Sequence, residues 1–291
     1  MQLPEMEKPA IGMRLSDADL TDISPEEFNM ILKALRELKG FNLDIYKDKC
    51  IKRRIAIRIR KTDCSSPAEY GEFLLRDEAE PDRLLRVLTI HVSQFFRNPS
   101  TFRKLKDVIF PYLFTLCERQ ERERLKIWSV GCAGGEEPHS VALILKDSFS
   151  DLIARHETAI LGTDVSPEVL EIAKKGVYRK ERLLEVPLET RERWFAPVEG
   201  RFQLAPEIMD MVTFCQSDLF HTGSFPESDL ILCRNVLIYL ERRHQEKILL
   251  GFADALRRGG VLVLGKAETL VGESRRRFET ICPIERIYRV V

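Results

Sequence analysis

The larger part of this chain is predicted to be an α/β domain, a mostly parallel sheet with helices on both faces, preceded by a small all-helical domain. Three observations predict it. From Leu125 onward, short apolar runs alternate with amphipathic helical runs, the pattern of parallel strands joined by crossover helices. The first of those runs ends in a glycine-rich turn, Gly131-Cys-Ala-Gly-Gly135. Between residues 23 and 90 the apolar spacing is helical.

Residues 1–22 carry little periodicity and are expected to form a tail. Ser24, Pro25 and Glu27 then make a capping-box start, with Phe28, Ile31, Leu32, Leu35 and Leu38 on one face and Gly40 as the stop. A second helix over 47–61 aligns Ile51, Ile55 and Ile59, and shorter helices follow over 67–76 and 81–90. Residues 23–90 thus form the helical domain. A connecting segment, 91–124, contains a helix over 101–121. The α/β domain runs from 125 to 291. Its strands are placed at 125–130, 159–164, 212–217, 230–233 and 261–265, with a final edge strand at 286–291. Its helices are placed at 137–149, 166–175 and 241–258. Residues 176–211 break the alternation with short, Pro-containing, partly β-like pieces, and read as an inserted subdomain.

Composition excludes several classes. The chain has 46 Lys and Arg against 46 Asp and Glu, so no overall field draws it to nucleic acid or to a membrane. Its start lacks a basic region followed by an apolar run, and no stretch approaches ~18 apolar residues. The seven cysteines form no CxxC pair, and no histidine spacing, at His139, His156, His221 or His244, suggests a metal. A cytoplasmic protein without membrane insertion is expected, and nothing demands more than a monomer. The neutrality hides a local imbalance: Tyr46–Thr62 holds eight bases and one acid.

The chemistry gathers after the strands. Ligands of open α/β sheets bind beyond the carboxyl ends of the strands, where the first turn approaches them. The spacing here is GxxGG, not the GxGxxG of a dinucleotide site, and Glu136 and Glu137 stand at the following helix N-terminus. Two carboxylates suit a cation better than a diphosphate, which points to a sulfonium cofactor bearing an amino group. Asp164, after the second strand, is placed to accept from ribose hydroxyls, and Asp218, after the third, from an adenine amino group. Each acid alone is equally well read as a helix cap. Three acids after three successive strands favour a ligand.

Two further segments, His91-Val-Ser-Gln-Phe-Phe-Arg97 and Cys233-Arg-Asn-Val-Leu-Ile-Tyr239, each end a regular element with a polar group beside bulky apolar residues. With Gly131–Ser140, Gly162-Thr-Asp-Val-Ser166 and the basic helix Ile51–Arg58, they closely resemble, in collinear order from about Ser24 to the C-terminus, the chemotaxis receptor glutamate methyltransferases, the CheR family. The resemblance implies a Rossmann-like, class I S-adenosylmethionine-dependent methyltransferase domain. It implies methyl transfer to glutamates on the cytoplasmic helical domain of chemoreceptors, with S-adenosylhomocysteine as product. By the same resemblance Ser93, Arg97, Glu136, Asp164, Asp218, Leu219, Asn235 and Val236 line the cofactor, with His91 and Gly131 beside them. Arg97 and Tyr239 border the reacting centre. His91 stands where the family usually has Asn, Ser93 where it has Thr, and Gly265-Lys-Ala-Glu268 departs from His-Ser-Glu.

The implied chemistry agrees with the residues. A glutamate carboxylate, with a pKa of about 4.3, is ionised at neutral pH and needs no general base. The enzyme's work is alignment, with Arg97 orienting the acceptor. Arg53, Arg54 and Arg58 on the basic helix are the expected docking residues for an acidic receptor helix; nucleic acid is disfavoured because no aromatics interleave with the bases. Two other readings stand beside this one: a carboxyl methyltransferase for another protein or a small acid, and a cofactor-binding adaptor without activity.

Overall fold

The computed structural model describes residues 23–39, 43, 46–88, 93–220 and 225–291. The tail 1–22, Gly40, Ile90, His91 and His221 lie outside the described residues. The chain divides into two compact units, Met1–Ile90 and His91–Val291.

The first unit holds four helices, α1 (Pro25–Lys39), α2 (Asp48–Ile59), α3 (Pro67–Arg76) and α4 (Glu80–Leu88). Helix α1 starts as a reciprocal cap: the Glu27 amide donates to Ser24 Oγ at 3.2 Å and the Ser24 amide to Glu27 Oε2 at 3.0 Å. Ile31, Leu35, Ile51, Ile55, Ile59, Tyr70, Leu74 and Leu84 close the core. Leu38, expected on the buried face, is 45% exposed in the last turn of α1.

The basic helix is corrected by its neighbours. Arg54 is buried and donates to the Leu88 carbonyl. Arg58 pairs through two nitrogens, both at 2.6 Å, with the fully buried carboxylate of Glu80 on α4. Tyr70 donates to the same carboxylate at 2.8 Å. An arginine fork satisfies a buried carboxylate as no single donor can. Two of the three arginines expected to face a partner therefore hold helices together, and Arg53 is the exposed one.

In the second unit a seven-stranded sheet has the order β6-β2-β1-β7-β8-β10-β9. The strands are β1 (Arg124–Val130), β2 (Glu157–Asp164), β6 (Val212–Gln216), β7 (Ser228–Cys233), β8 (Leu256–Leu264), β9 (Phe278–Cys282) and β10 (Ile287–Val290). Pairings among β6, β2, β1, β7 and β8 are parallel, and β10 runs antiparallel between β8 and β9. The last strand is thus not an edge; β9 is, and with only Phe278 of its Phe-Glu-Thr-Ile-Cys buried after the arginine run 275–277 it carries no apolar alternation that marks a strand. Helices α7 (Glu136–Ser148), α8 (Ser150–Arg155), α9 (Pro167–Lys175) and α12 (Arg242–Ala255) complete the layers.

Helix α12 ends three residues before the expected Arg258. Leu256 pairs with Ser228 instead, across a register shift, and Gly259 takes φ +80°. The chain before β1 forms α5 (Pro99–Lys104), a π turn (Leu105–Ile109) and α6 (Phe110–Arg119), where one regular helix was expected. Pro111 lacks an amide and crowds the carbonyl four residues back, so the ladder widens just before it. Phe95, Phe102, Phe110 and Phe114 of this segment join the core of the second unit.

Residues 176–211 contain a separate antiparallel sheet, order β3-β5-β4, made of β3 (Val177–Tyr178), β4 (Phe195–Val198) and β5 (Arg201–Leu204). Helices α10 (Leu188–Trp194) and α11 (Pro206–Met209) accompany it. No helix among the described residues is long and apolar enough to cross a membrane.

Candidate functional site

Strand β1 has β2 and β6 on one side and β7 and β8 on the other, so the order in which the chain adds parallel strands reverses between β1 and β7. A crevice opens beyond the carboxyl ends of the strands at such a point. Val130 pairs with both Thr163 and Cys233, which brings the ends of β1, β2 and β7 level. Residues 131–135, 164 and 234–236 meet there.

The turn is shaped by backbone need. Gly131 has φ +64°, and a Cβ on it would lie 2.6 Å from Val236 Cγ2. A side chain there would close the approach between the two loops. Gly135 also has positive φ, but a Cβ on it would meet Ala173 and Phe214, so it answers to packing behind the turn. Asp164 is buried at the end of β2. Its carboxylate accepts from the Ala133 amide and the Ser166 amide, each at 3.0 Å. It braces the turn and opens α9 at once, with acceptor capacity on a carboxylate still exceeding two bonds. The Ser217 amide donates to the Asp164 carbonyl at 3.0 Å, which ties the loop after β6 to the same edge. Asp218 there is exposed and accepts from the Phe220 amide. Leu219 is half-buried.

The two glutamates after the turn separate in role. Glu136 is buried, 3.5 Å from the Arg182 guanidinium. Glu137 accepts from Ser129 Oγ at 2.9 Å and from Arg234 at 3.0 Å. That second carboxylate, expected beside a cationic ligand, is instead neutralised inside the fold.

Beyond β7, Asn235 takes φ +62°, a conformation asparagine tolerates. Its amide donates to Glu268 Oε2 at 2.9 Å. Its own side-chain oxygen is buried with no hydrogen-bond partner among the described residues. Val236 and Tyr239 are half-buried, and Tyr239 closes a 3-10 turn, Leu237–Tyr239. Ser93 and Arg97 come to this edge from the segment before α5. Arg234 donates to the Arg97 carbonyl at 2.6 Å and to Asn98 Oδ1 at 2.9 Å, and Ser140 Oγ accepts from the Phe96 amide at 2.9 Å.

The groups at the crevice are mostly acceptors: Glu136, Asp164 and the Asn235 amide oxygen. Such a set fits a ligand rich in donors, with an ammonium group and hydroxyls, and opposes a phosphate. S-Adenosylmethionine has that chemistry.

Comparison with known proteins agrees. Residues 91–285 match the family model described as CheR methyltransferase, SAM binding domain, and residues 26–89 match CheR methyltransferase, all-alpha domain. The chain belongs to the CheR methyltransferase family. It is similar to the chemotaxis protein methyltransferase of Listeria innocua, 34% identical over 80% of this chain and 86% of that one. It is also similar to chemotaxis protein methyltransferase 2 of Pseudomonas aeruginosa, 31% identical over 86% and 88%. The Escherichia coli chemotaxis protein methyltransferase is 28% identical over 87% and 88%. The protein is an S-adenosylmethionine-dependent methyltransferase of chemotaxis.

Sequence reasoning missed the supports of this site. Arg234 and Glu268 are buried charges: Glu268 bonds to backbone amides, and Arg234 bonds to the Arg97 carbonyl and to the side chains of Asn98 and Glu137 far along the chain, so neither leaves a spacing signal. The third is a polar chain behind the turn. Tyr178 donates to the Gly134 carbonyl at 2.8 Å and lies 2.9 Å from His139 Nδ1. The hydroxyl has one proton and gives it to the carbonyl, so the imidazole donates from Nδ1. His139 is fully buried, and burial pushes its pKa down to about 3.

The unfolded chain protonates this histidine below about pH 6.5 while the folded chain resists. Its contribution to stability is therefore complete above pH 6.5 and is lost progressively as pH falls toward 3. Asparagine can supply the same donor without titrating. His139→Asn is expected to flatten the pH dependence of urea unfolding between pH 4 and 6 by about one proton, about 1.4 kcal/mol per pH unit. An unchanged slope would show that His139 is not held neutral.

Proposed function

We propose that this protein methylates glutamate side chains on the cytoplasmic helical domain of a chemoreceptor, leaving a methyl ester and S-adenosylhomocysteine. The observation that carries the reading is the match of both family models in chain order, over a crevice lined with acceptors. When bound, S-adenosylmethionine supplies an electrophilic methyl on a positively charged sulfur. Glu136 holds the ammonium end, Asp164 the ribose hydroxyls, and Asn235 and the Asp218–Leu219 loop the adenine side. Gly131 and Val236 leave room between them, and Ser93 borders the cofactor.

The acceptor arrives ionised, so no residue has to remove a proton. Arg97 orients the carboxylate without requiring its attacking oxygen to be tightly held, since ground-state stabilisation would slow attack. Tyr239 fixes the geometry through its hydroxyl. Arg53, exposed on α2, meets the acidic receptor helix. Every residue in this assignment comes from one chain, so a monomer is sufficient.

The test is transfer of a radiolabelled methyl group from the cofactor to receptor-containing membranes, read as base-labile methanol. Arg97→Ala is expected to lower kcat/KM for methylation by about 100-fold with an unchanged unfolding midpoint. In the same assay Arg53→Glu is expected to raise the KM for receptor and leave that for cofactor alone. Absence of base-labile label, under conditions where S-adenosylhomocysteine binds, would sink the carboxylate acceptor and leave the adaptor reading.

A further inference from the structure

The 3-10 turn Lys180–Leu183 of the inserted segment lies against the cofactor crevice. Its Arg182 makes three connections. The guanidinium donates to the Ser93 carbonyl. It stands 3.5 Å from Glu136 Oε1. The Arg182 carbonyl accepts from the Phe95 amide at 3.0 Å. One residue therefore brackets the backbone from four to two residues before Arg97 and faces the carboxylate at the start of α7.

The contact is reinforced by packing. The Phe95 ring is fully buried, edge-on to Tyr178 at 4.8 Å and to Phe195 at 5.2 Å, both from the inserted segment. Tyr178 also holds the Gly134 carbonyl in the glycine turn. The small antiparallel sheet is thus fastened to the crevice at the turn, at Glu136 and at the segment leading to Arg97.

We infer that Arg182 is a positioning residue for methyl transfer, setting the Glu136 carboxylate and the Ser93–Arg97 segment so that the inserted subdomain and the cofactor site are energetically coupled. The inference rests on the cofactor assignment given above. A carboxylate offers two oxygens, so one facing an arginine still leaves capacity for an ammonium group. The guanidinium holds the carboxylate in one orientation before the ligand arrives, which lowers the ordering cost of binding. The guanidinium side chain is 38% exposed, so its charge is partly screened and the effect is moderate.

The full-length protein serves for the test, with S-adenosylhomocysteine as the titrant in calorimetry and receptor membranes for kinetics. Arg182→Ala is expected to weaken binding of the titrant about 5- to 10-fold and to lower kcat as well, because Arg97 loses its support. Arg182→Lys keeps a charge but cannot span the Ser93 carbonyl and Glu136 together, so it is expected to recover part of the affinity and little of kcat. Arg182→Met keeps the apolar stem and separates packing from charge: titrant affinity as low as that of the alanine variant, at a wild-type unfolding midpoint, supports the inference. Wild-type affinity and kcat in the alanine variant would overturn it. If the wild-type protein itself fails to bind the titrant, the cofactor assignment falls, and this inference with it.

Discussion

Replacing Glu80 with alanine is expected to lower the stability of the helical unit by about 3–5 kcal/mol, the range for removing one partner of a buried ion pair. Glu80 is fully buried and carries the fork of Arg58, the hydroxyl of Tyr70 and, at 3.7 Å, Arg83. Its loss strands the Arg58 guanidinium, only 13% exposed, beside an unsatisfied tyrosine hydroxyl. Burial, and then the hydrogen bond to Glu80, push the Tyr70 pKa up, so that hydroxyl keeps its proton throughout the working range. Removing both charges together differs from removing one. The pair Glu80→Leu with Arg58→Met is expected to fold with most of its stability, because a well-packed apolar pair avoids the desolvation that a buried ion pair carries. Hydrogen exchange of the amides of α1 to α4 reads the effect in the intact protein. A loss under about 1 kcal/mol for the alanine variant would mean that Glu80 is not the anchor of the basic helix.

The second large effect is expected at Glu268. Its carboxylate accepts from the amides of Gly265 at 2.6 Å, Asn235 at 2.9 Å and Ile238 at 3.2 Å. Burial pushes its pKa up and the backbone bonds oppose that. Alanine leaves these donors without their acceptor in the loop that carries Asn235 in its left-handed conformation. At about 1–3 kcal/mol for each buried unsatisfied group, partly relieved by entering water, a loss of about 3–5 kcal/mol is expected, with cofactor affinity falling more than tenfold. Glutamine keeps the volume and one carbonyl oxygen but turns an amide group toward one backbone donor, so its cost is expected to be about 1–2 kcal/mol. Denaturation and S-adenosylhomocysteine titration on the two variants check this. Equal behaviour of alanine and glutamine would remove Glu268 as the acceptor that shapes the loop.

Both effects bear on what the amino-acid order makes legible. The capping box at Ser24 and Glu27 and the stripe of Ile51, Ile55 and Ile59 are local, so the periodicity of the chain carries them. The glycine turn and Asp164 follow from their place after successive strands. The fate of the arginines does not follow in this way. The excess of bases over 46–62 suggests an outward face, yet Glu80, more than twenty residues from Arg58, turns one arginine inward. Likewise Glu136 and Glu137 are adjacent, and only the fold sends one to the crevice and the other to Arg234.

By itself the sequence determined the order of the parallel strands and their main helices, the acceptor character of the crevice and the family to which the chain belongs. These depend on residue type at short, fixed spacings, where backbone geometry leaves few choices. The tertiary structure decided which charges are working surface and which are internal struts. It also decided that β10 lies inside the sheet and that Arg182 reaches Ser93 and Glu136. Those outcomes depend on partners distant along the chain, where desolvation makes an ion pair or a carbonyl contact obligatory once the groups are buried.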